Sequence, residues 1–306
     1  MGGEQRYGAI EAGGTKWVCA IAGADGTLLA RERLPTTTPA ETLGRAIAFL
    51  RAAGPLTAVG IGCFGPLDLR AGSPTHGFVT TTPKPGWTSV EVLGPIRDAL
   101  GVPVGFDTDV NAAALGEWRR GAGRGLDAFA YVTVGTGIGA GAIVGGRPLH
   151  GLVHPELGHV RVPHDRARDP FEGCCPRHGD CLEGLASGEA LRRRWGRPPE
   201  QLDEPAAWTL EADYLAAGLL NLICALSPQR VAVGGGVAQR PGLLEAVRAR
   251  VVELNAGYLA APELTDASAI ESYLVAPALG DRAGVVGAVE LARDAAAEAA
   301  AAPKDA

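Results

Sequence analysis

Short apolar runs alternate with glycine-rich polar turns along this chain. Residues 7–10 and 17–21 are apolar and flank Glu11-Ala12-Gly13-Gly14-Thr15-Lys16. Residues 129–134 and 140–144 flank a second turn, Gly135-Thr136-Gly137-Ile138-Gly139. Runs of this length bounded by glycine predict strands, and each pair predicts a β-hairpin. Both hairpins lead into a further turn, Ala24-Asp25-Gly26 and Gly145-Gly146-Arg147. The layout recurs about 120 residues apart, which points to two related domains.

Elsewhere the period lengthens. Residues 41–53 put Leu43, Ile47 and Leu50 on one helical face, and residues 89–100 are amphipathic and predicted helical. Residues 56–62 and 102–106 read as buried strands. A helix follows from Val110 to Trp118, with Asp109 at the N-cap and Asn111 just inside. In the second half, helices are predicted over 183–195, 211–226, 243–254 and 284–293, with a strand at 230–233 before Gly234-Gly235-Gly236. The Ala-rich tail from Ala295 reads as a frayed helix end. Strands alternating with helices make an α/β fold. Domain boundaries are expected at 1–116 and 117–283, with a last helix at about 284–306 packed back on the first domain. Residues 153–183 stay loop-like, yet hold four of the six His and three of the six Cys. A loop that long needs a function or a staple.

Length and charge narrow the class. A chain of 306 residues, 46% hydrophobic, can bury the cores of two ordinary domains. The net charge of -6 argues against a nucleic-acid partner, as does the lack of a basic run beyond Arg192-Arg193-Arg194. That triplet reads as a solvated helix face. No apolar stretch approaches the ~20 residues of a membrane span, and residues 1–7 lack the layout of a signal peptide. The expected compartment is the cytoplasm, with no membrane partner. Three of six cysteines crowd into Cys174, Cys175 and Cys181, while Cys19, Cys63 and Cys224 sit in apolar segments. This pattern reads as a metal site plus buried thiols, not a disulfide framework.

The motifs suggest chemistry. Tight glycine turns let backbone N–H groups approach a phosphate, and Thr15 and Thr136 can add hydroxyls. Neither turn is a Walker loop or a strand–GxGxxG–helix. Two such turns on two domains suggest a phosphate chain held in a cleft between them, with Gly234–Gly236 at the nucleoside end. A structural turn is the competing reading of each alone. In Phe106-Asp107-Thr108-Asp109-Val110-Asn111, carboxylates stand at a strand end before a helix. Asp109, or alternatively Asp107, can take the proton of an attacking hydroxyl. Asp109 as a mere N-cap fits equally. Cys175, His178 and Cys181 form C-x2-H-x2-C, and with upstream His159 they make a tetrahedral Zn2+ set. Cys174 can replace Cys175, and His154 or His164 can replace His159. Glu156 and Glu183 flank these ligands and can accept hydrogen bonds from sugar hydroxyls.

Together the motifs resemble the ROK family (repressor, open reading frame, kinase), and within it the bacterial fructokinase-like branch. The resemblance runs from Gly8 to about Arg293. It rests on H-P-E-L-G-H at 154–159, C-P-R-H-G-D-C-L-E-G-L-A-S-G at 175–188, I-E-A-G-G-T-K, T-T-P-K-P-G-W at 81–87, F-D-T-D-V-N-A-A-A-L-G-E at 106–117 and V-T-V-G-T-G-I-G. It implies an actin-like ATPase (ribonuclease H-like) fold of two α/β domains around a cleft. The activity implied is an ATP-dependent hexose kinase, most specifically a fructokinase, commonly a homodimer. Asp109 would be the general base, with Gly65, Pro66, Thr108, Glu156, His159 and Glu183 near the sugar. Gly13, Gly14, Thr15, Lys16, Gly135, Thr136 and Gly137 would hold the phosphates, and Gly234, Gly235 and Gly236 would lie by the adenosine. Structural Zn2+ would sit on His159, Cys175, His178 and Cys181, and Mg2+ would come with ATP.

The chain departs from the pattern at Glu11, where Asp is common, and at Thr108, where Asn is common. It departs again at His178 in the zinc knuckle and at Lys84, where Asn is frequent. Glu11 and the Cys-His-Cys knuckle favour the fructokinase-like branch, with mannose or glucose as alternatives. A sugar-sensing repressor of the same family would carry a helix-turn-helix ahead of the first strand, for which a strand starting at about Tyr7 leaves no room. A non-catalytic sugar- or zinc-binding module is the third reading, disfavoured by Asp109 and both glycine turns.

Overall fold

The computed structural model describes residues 5–302. The chain forms two compact units. One holds the residues up to Arg120, Pro148–His154 and those from Asp281 onward; the other holds Gly121–Arg147 and Pro155–Gly280. The short segment Pro148–His154 thus belongs with the first unit, although the chain on either side of it belongs to the second.

In the first unit, strands Arg6–Ala12, Lys16–Gly23 and Leu28–Pro35 form an antiparallel meander. Ala58–Cys63 and Val104–Thr108 add in parallel beside the first strand. The third strand is exposed over most of its length, so no apolar run announced it. On one face, Ile10, Trp17, Leu34, Ile61 and Trp87 pack with Leu43, Ala46 and Leu50 of helix Pro39–Ala52. Each such large side chain contributes about 1.5–3 kcal/mol by leaving water. Helix Ala283–Ala301 covers the other face and lies against helix Asp109–Arg120. Glycines permit this approach: a Cβ at Gly60 would run into the Ala288 backbone, and one at Gly287 into that of Ala112.

Strands Ala128–Val134, Ile138–Val144, Arg147–Pro148, Val231–Gly234 and Leu274–Val275 form a second sheet. Counted from its own first strand, each sheet has the order 3-2-1-4-5. The recurring hairpins are therefore the start of a recurring five-strand topology.

Several sequence expectations are corrected. Helix Pro205–Leu226 is long and apolar enough to cross a membrane by length and composition alone. Its Leu210, Tyr214, Leu215, Leu219 and Leu222 instead belong to the unit's core. The helix expected over 183–195 is two, Leu182–Ala186 and Gly188–Trp195. Ser187 between them is extended, and its hydroxyl accepts from Ala190 N at 3.1 Å, capping a new helix. Residues 89–100 open with a short strand, Val90–Glu91, and become helical only over Leu93–Leu100. The last helix does not fray at Ala295 but continues to Ala301, because Ala292 and Ala295 are still buried; residues 303–306 lie outside the described residues. Cys224 is exposed, not a buried thiol. Arg194 is not part of a solvated face: it is buried on Asp169, whose second oxygen also accepts from the Tyr214 hydroxyl.

Candidate active site

In the first unit the site begins where strand Val104–Thr108 runs into helix Asp109–Arg120. Thr108, not Asp109, is the cap: its hydroxyl accepts from Asn111 N at 3.1 Å. Asp109 is the first helical residue, and its Oδ1 accepts only from Val110 N within this turn. The cap reading of Asp109 therefore falls. Although the residue keeps some exposed surface, loss of hydration pushes its carboxyl up to about 6, against the opposing pull of the Val110 N–H. Asp107, the alternative base, is fully occupied. Its Oδ1 accepts from Thr108 N and Asn111 Nδ2, and its Oδ2 faces His150 Nε2 at 2.9 Å. That hydrogen bond raises the His150 imidazole above its ordinary value.

Glu11 is the penultimate residue of the first strand. Its carboxyl packs over Gly284 at the start of the last helix, and Oε2 is buried with no hydrogen-bond partner among the described residues. Burial first, then the negative Asp109, push it up to about 7; Lys16 and Arg31 oppose the shift. Gly13 N donates to Lys16 O at 2.9 Å, closing the first glycine turn around Gly14 and Thr15. The Gly65–Pro66 peptide is cis. Beside it, Leu67 N donates to His154 Nε2 at 2.9 Å, and Thr80 N and Oγ1 both donate to Pro66 O.

In the second unit the turn Gly135–Gly137 is held by its neighbours: Gly188 N donates to Gly135 O at 2.7 Å, and Ile138 N donates to Glu183 Oε2 at 3.1 Å. Gly235 lies so close to the Val134 backbone, at φ +94°, that only glycine fits. Gly135, Thr136 and Gly236 line an open pocket of about 580 Å³ together with Arg192, Trp208 and Arg240. The Arg240 guanidinium sits 4.9 Å over the Trp208 ring. Glu156 is exposed at the start of the short turn Leu157–His159.

The Cys/His set resolves the open choices. The ligand atoms of His159, Cys175, His178 and Cys181 all lie within 4.8 Å of one another. His159 Nδ1 is 3.4 Å from Cys181 Sγ and 3.7 Å from Cys175 Sγ, and His178 Nδ1 is 3.6 Å from Cys175 Sγ. Tetrahedral zinc with these ligands has edges of about 3.3–3.8 Å, so the donor set fits. Cys174 turns toward Ser187, His154 serves Leu67, and His164 serves Asp180 and Asp169. With Nδ1 in the cluster, His159 Nε2 faces Glu183 Oε1 at 4.0 Å.

Sequence reading missed Trp208, Arg240, His150 and His154. For the first three no local signal exists. His154 stands in H-P-E-L-G-H, where spacing offers it only as an alternative metal ligand.

A model of the ROK family matches residues 7–295. The chain belongs to the ROK family. Its fold is the α/β, actin-like ATPase fold of that family. The fructokinase of Zymomonas mobilis is 46% identical over 298 residues, covering 94% of this chain and 96% of the relative. The fructokinase of Lactococcus lactis is 38% identical over 273 residues, covering 89% and 91%. The ROK glucokinase of Streptomyces griseus, solved with glucose and AMPPNP, is similar with a TM-score of 0.74 at 28% identity, covering 95% of this chain and 100% of its own.

Proposed function

We propose that this protein is an ATP-dependent fructokinase with Asp109 as general base. The carrying observation is Asp109 itself: a carboxyl released from capping by Thr108 and raised to about 6, where a base is still ionised at neutral pH yet basic enough to take a proton. A sugar hydroxyl oxygen attacks the γ-phosphorus, the new O–P bond forms as the bond to ADP breaks, and the hydroxyl proton goes to Asp109. The first unit supplies this base, the Gly13–Lys16 turn, and the Gly65–Pro66 loop with Thr108 on the acceptor side. The second supplies the Gly135–Gly137 turn for phosphates, the pocket by Gly234–Gly236 for the nucleoside, and Glu156, His159 and Glu183 for the sugar. Zinc on His159, Cys175, His178 and Cys181 is structural in this reading, because four protein ligands leave no open position. It would fix the His159 ring so that Nε2 faces Glu183. Glu11, whose buried oxygen has no partner among the described residues, is the side chain that would hold Mg2+; the bound ion would neutralise charge on the phosphate oxygens. The same reading makes the protein a cytoplasmic homodimer, which light scattering checks for the oligomeric part.

The test is ADP release from Mg·ATP with fructose, mannose, glucose and N-acetylmannosamine, on protein purified without chelator. Fructose is expected to lead clearly. Preference for another sugar overturns the specificity and keeps the mechanism; inactivity on all four with zinc bound overturns the kinase reading.

A pH profile tests the base separately. Asp109 is active when ionised, and its value is raised, so lowering the pH through about 6 protonates it. At saturating Mg·ATP, where a bound cation would keep the Glu11 carboxylate ionised, kcat/KM for the sugar should fall about tenfold per pH unit below that point, with a plateau above. An acid limb displaced to about pH 4, the ordinary aspartate range, would remove the evidence for a tuned base.

A further inference from the structure

Of the 28 basic side chains only three are lysines, Lys16, Lys84 and Lys304; the rest are arginines. The fold brings the two that lie among the described residues to one turn. Lys16 closes the Gly13–Lys16 turn. Thr36 ties onto that turn twice: its N–H donates to Thr15 O at 3.0 Å and its hydroxyl to Gly13 O at 2.7 Å. The Lys84 ammonium then donates to the carbonyl of this same Thr36 at 3.3 Å. Lys84 rides on a loop held at both ends. Thr80 bonds Pro66 O, while Trp87, fully buried, donates from Nε1 to Thr37 O at 2.9 Å and packs on Trp17 and Phe64.

This is not how a solvated lysine behaves. Lys84 is half-buried, and among the described residues neither lysine is paired with a carboxylate, whereas Arg31, Arg33, Arg119 and Arg120 all are. A partly dehydrated ammonium with one neutral acceptor gains most from an arriving anion. The choice of lysine in an arginine-rich chain has a physical reason as well. A compact ammonium can enter beside backbone N–H groups that already face phosphate oxygens, where a planar guanidinium demands a wider, bidentate approach.

We propose that Lys84 is a further substrate-contacting residue: with Lys16 it forms a two-ammonium clamp on the terminal, transferring phosphate of the nucleoside triphosphate. This rests on the kinase reading above. Lys84 exchanges its weak bond to Thr36 O for the γ-phosphate oxygens, whose charge is spread during transfer. Because its loop also holds Pro66 O, the clamp couples donor placement to the Gly65–Pro66 loop.

The test is calorimetric binding of Mg·AMPPNP and Mg·ADP to the full zinc-loaded chain and to Lys84→Met, with melting temperatures alongside. AMPPNP affinity is expected to fall about tenfold to a hundredfold, ADP affinity to stay within twofold, and the melting temperature to hold. Lys84→Gln keeps a donor for Thr36 O but no charge, and should lose AMPPNP affinity like Lys84→Met even where the latter folds poorly. Lys84→Arg should recover only part of the loss. Unchanged AMPPNP affinity in Lys84→Gln, or equal loss for ADP and AMPPNP, overturns the clamp and leaves the kinase reading standing. A wild-type chain that binds neither nucleotide overturns both.

Discussion

Asp109→Asn is expected to lower turnover by about three orders of magnitude, within the 10²–10⁴-fold range of general base catalysis, with fructose affinity changed no more than a few-fold. The structure makes this substitution unusually clean. The helix start is capped by the Thr108 hydroxyl, so it does not depend on the Asp109 side chain. The carboxamide of the variant would keep an oxygen for Val110 N, the one bond Asp109 makes in that turn. Shape and hydrogen bonding survive; the proton acceptor is lost. Asp107 cannot stand in, since both its oxygens are engaged by Thr108, Asn111 and His150. Turnover, calorimetric fructose binding and melting temperature should be measured on one preparation. Near-wild-type turnover would show that the hydroxyl proton leaves by another route.

The second large effect concerns the metal. Cys181→Ala should release bound zinc, expected at one ion per chain in the wild type by metal analysis, and abolish activity with little change at the base. Cys181 is buried, and the backbone beside it closes the loop through Leu182 N to Val160 O. Among the described residues, the stretch between those points contains no helix or strand, so the metal is its main staple. Loss of a structural metal belongs with the largest single-site effects, about 4 kcal/mol or more. In a unit of this size that lowers the melting temperature by roughly 8–16 °C. The polar cluster of His164, Asp169, Arg194 and Tyr214 supports the same stretch independently, so secondary structure elsewhere should persist. A variant that melts with the wild type and carries no zinc would show that the Cys/His set is not a structural metal site.

These two experiments draw on features of very different legibility. The Cys-x2-His-x2-Cys spacing was readable because its three residues are local, and backbone proximity already holds them near one centre. The fourth ligand lies upstream, and nothing in the spacing distinguishes His159 from His154 or His164. Tertiary structure decides it: His154 accepts from Leu67 N and His164 sits on Asp180 and Asp169, leaving His159 to meet the thiols. Asp109 was ambiguous for a related reason. Cap and base fall on the same sequence position, where a strand gives way to a helix, and only the Thr108 bond to Asn111 separates them.

By itself the sequence determined the two hairpins, most helices, the Cys/His set and the strand-end carboxylates. All of these rest on period, glycine placement or short spacing, which act within a few residues. It could not show the exposed third strand, which has no apolar run, or the helix break at Ser187, which a side-chain hydroxyl sets. It gave no sign that Pro148–His154 joins the first unit, or that Lys84 reaches the glycine turn through Thr36. Those features pair residues tens of positions apart, and such pairs meet only when the sheet and its covering helices have closed.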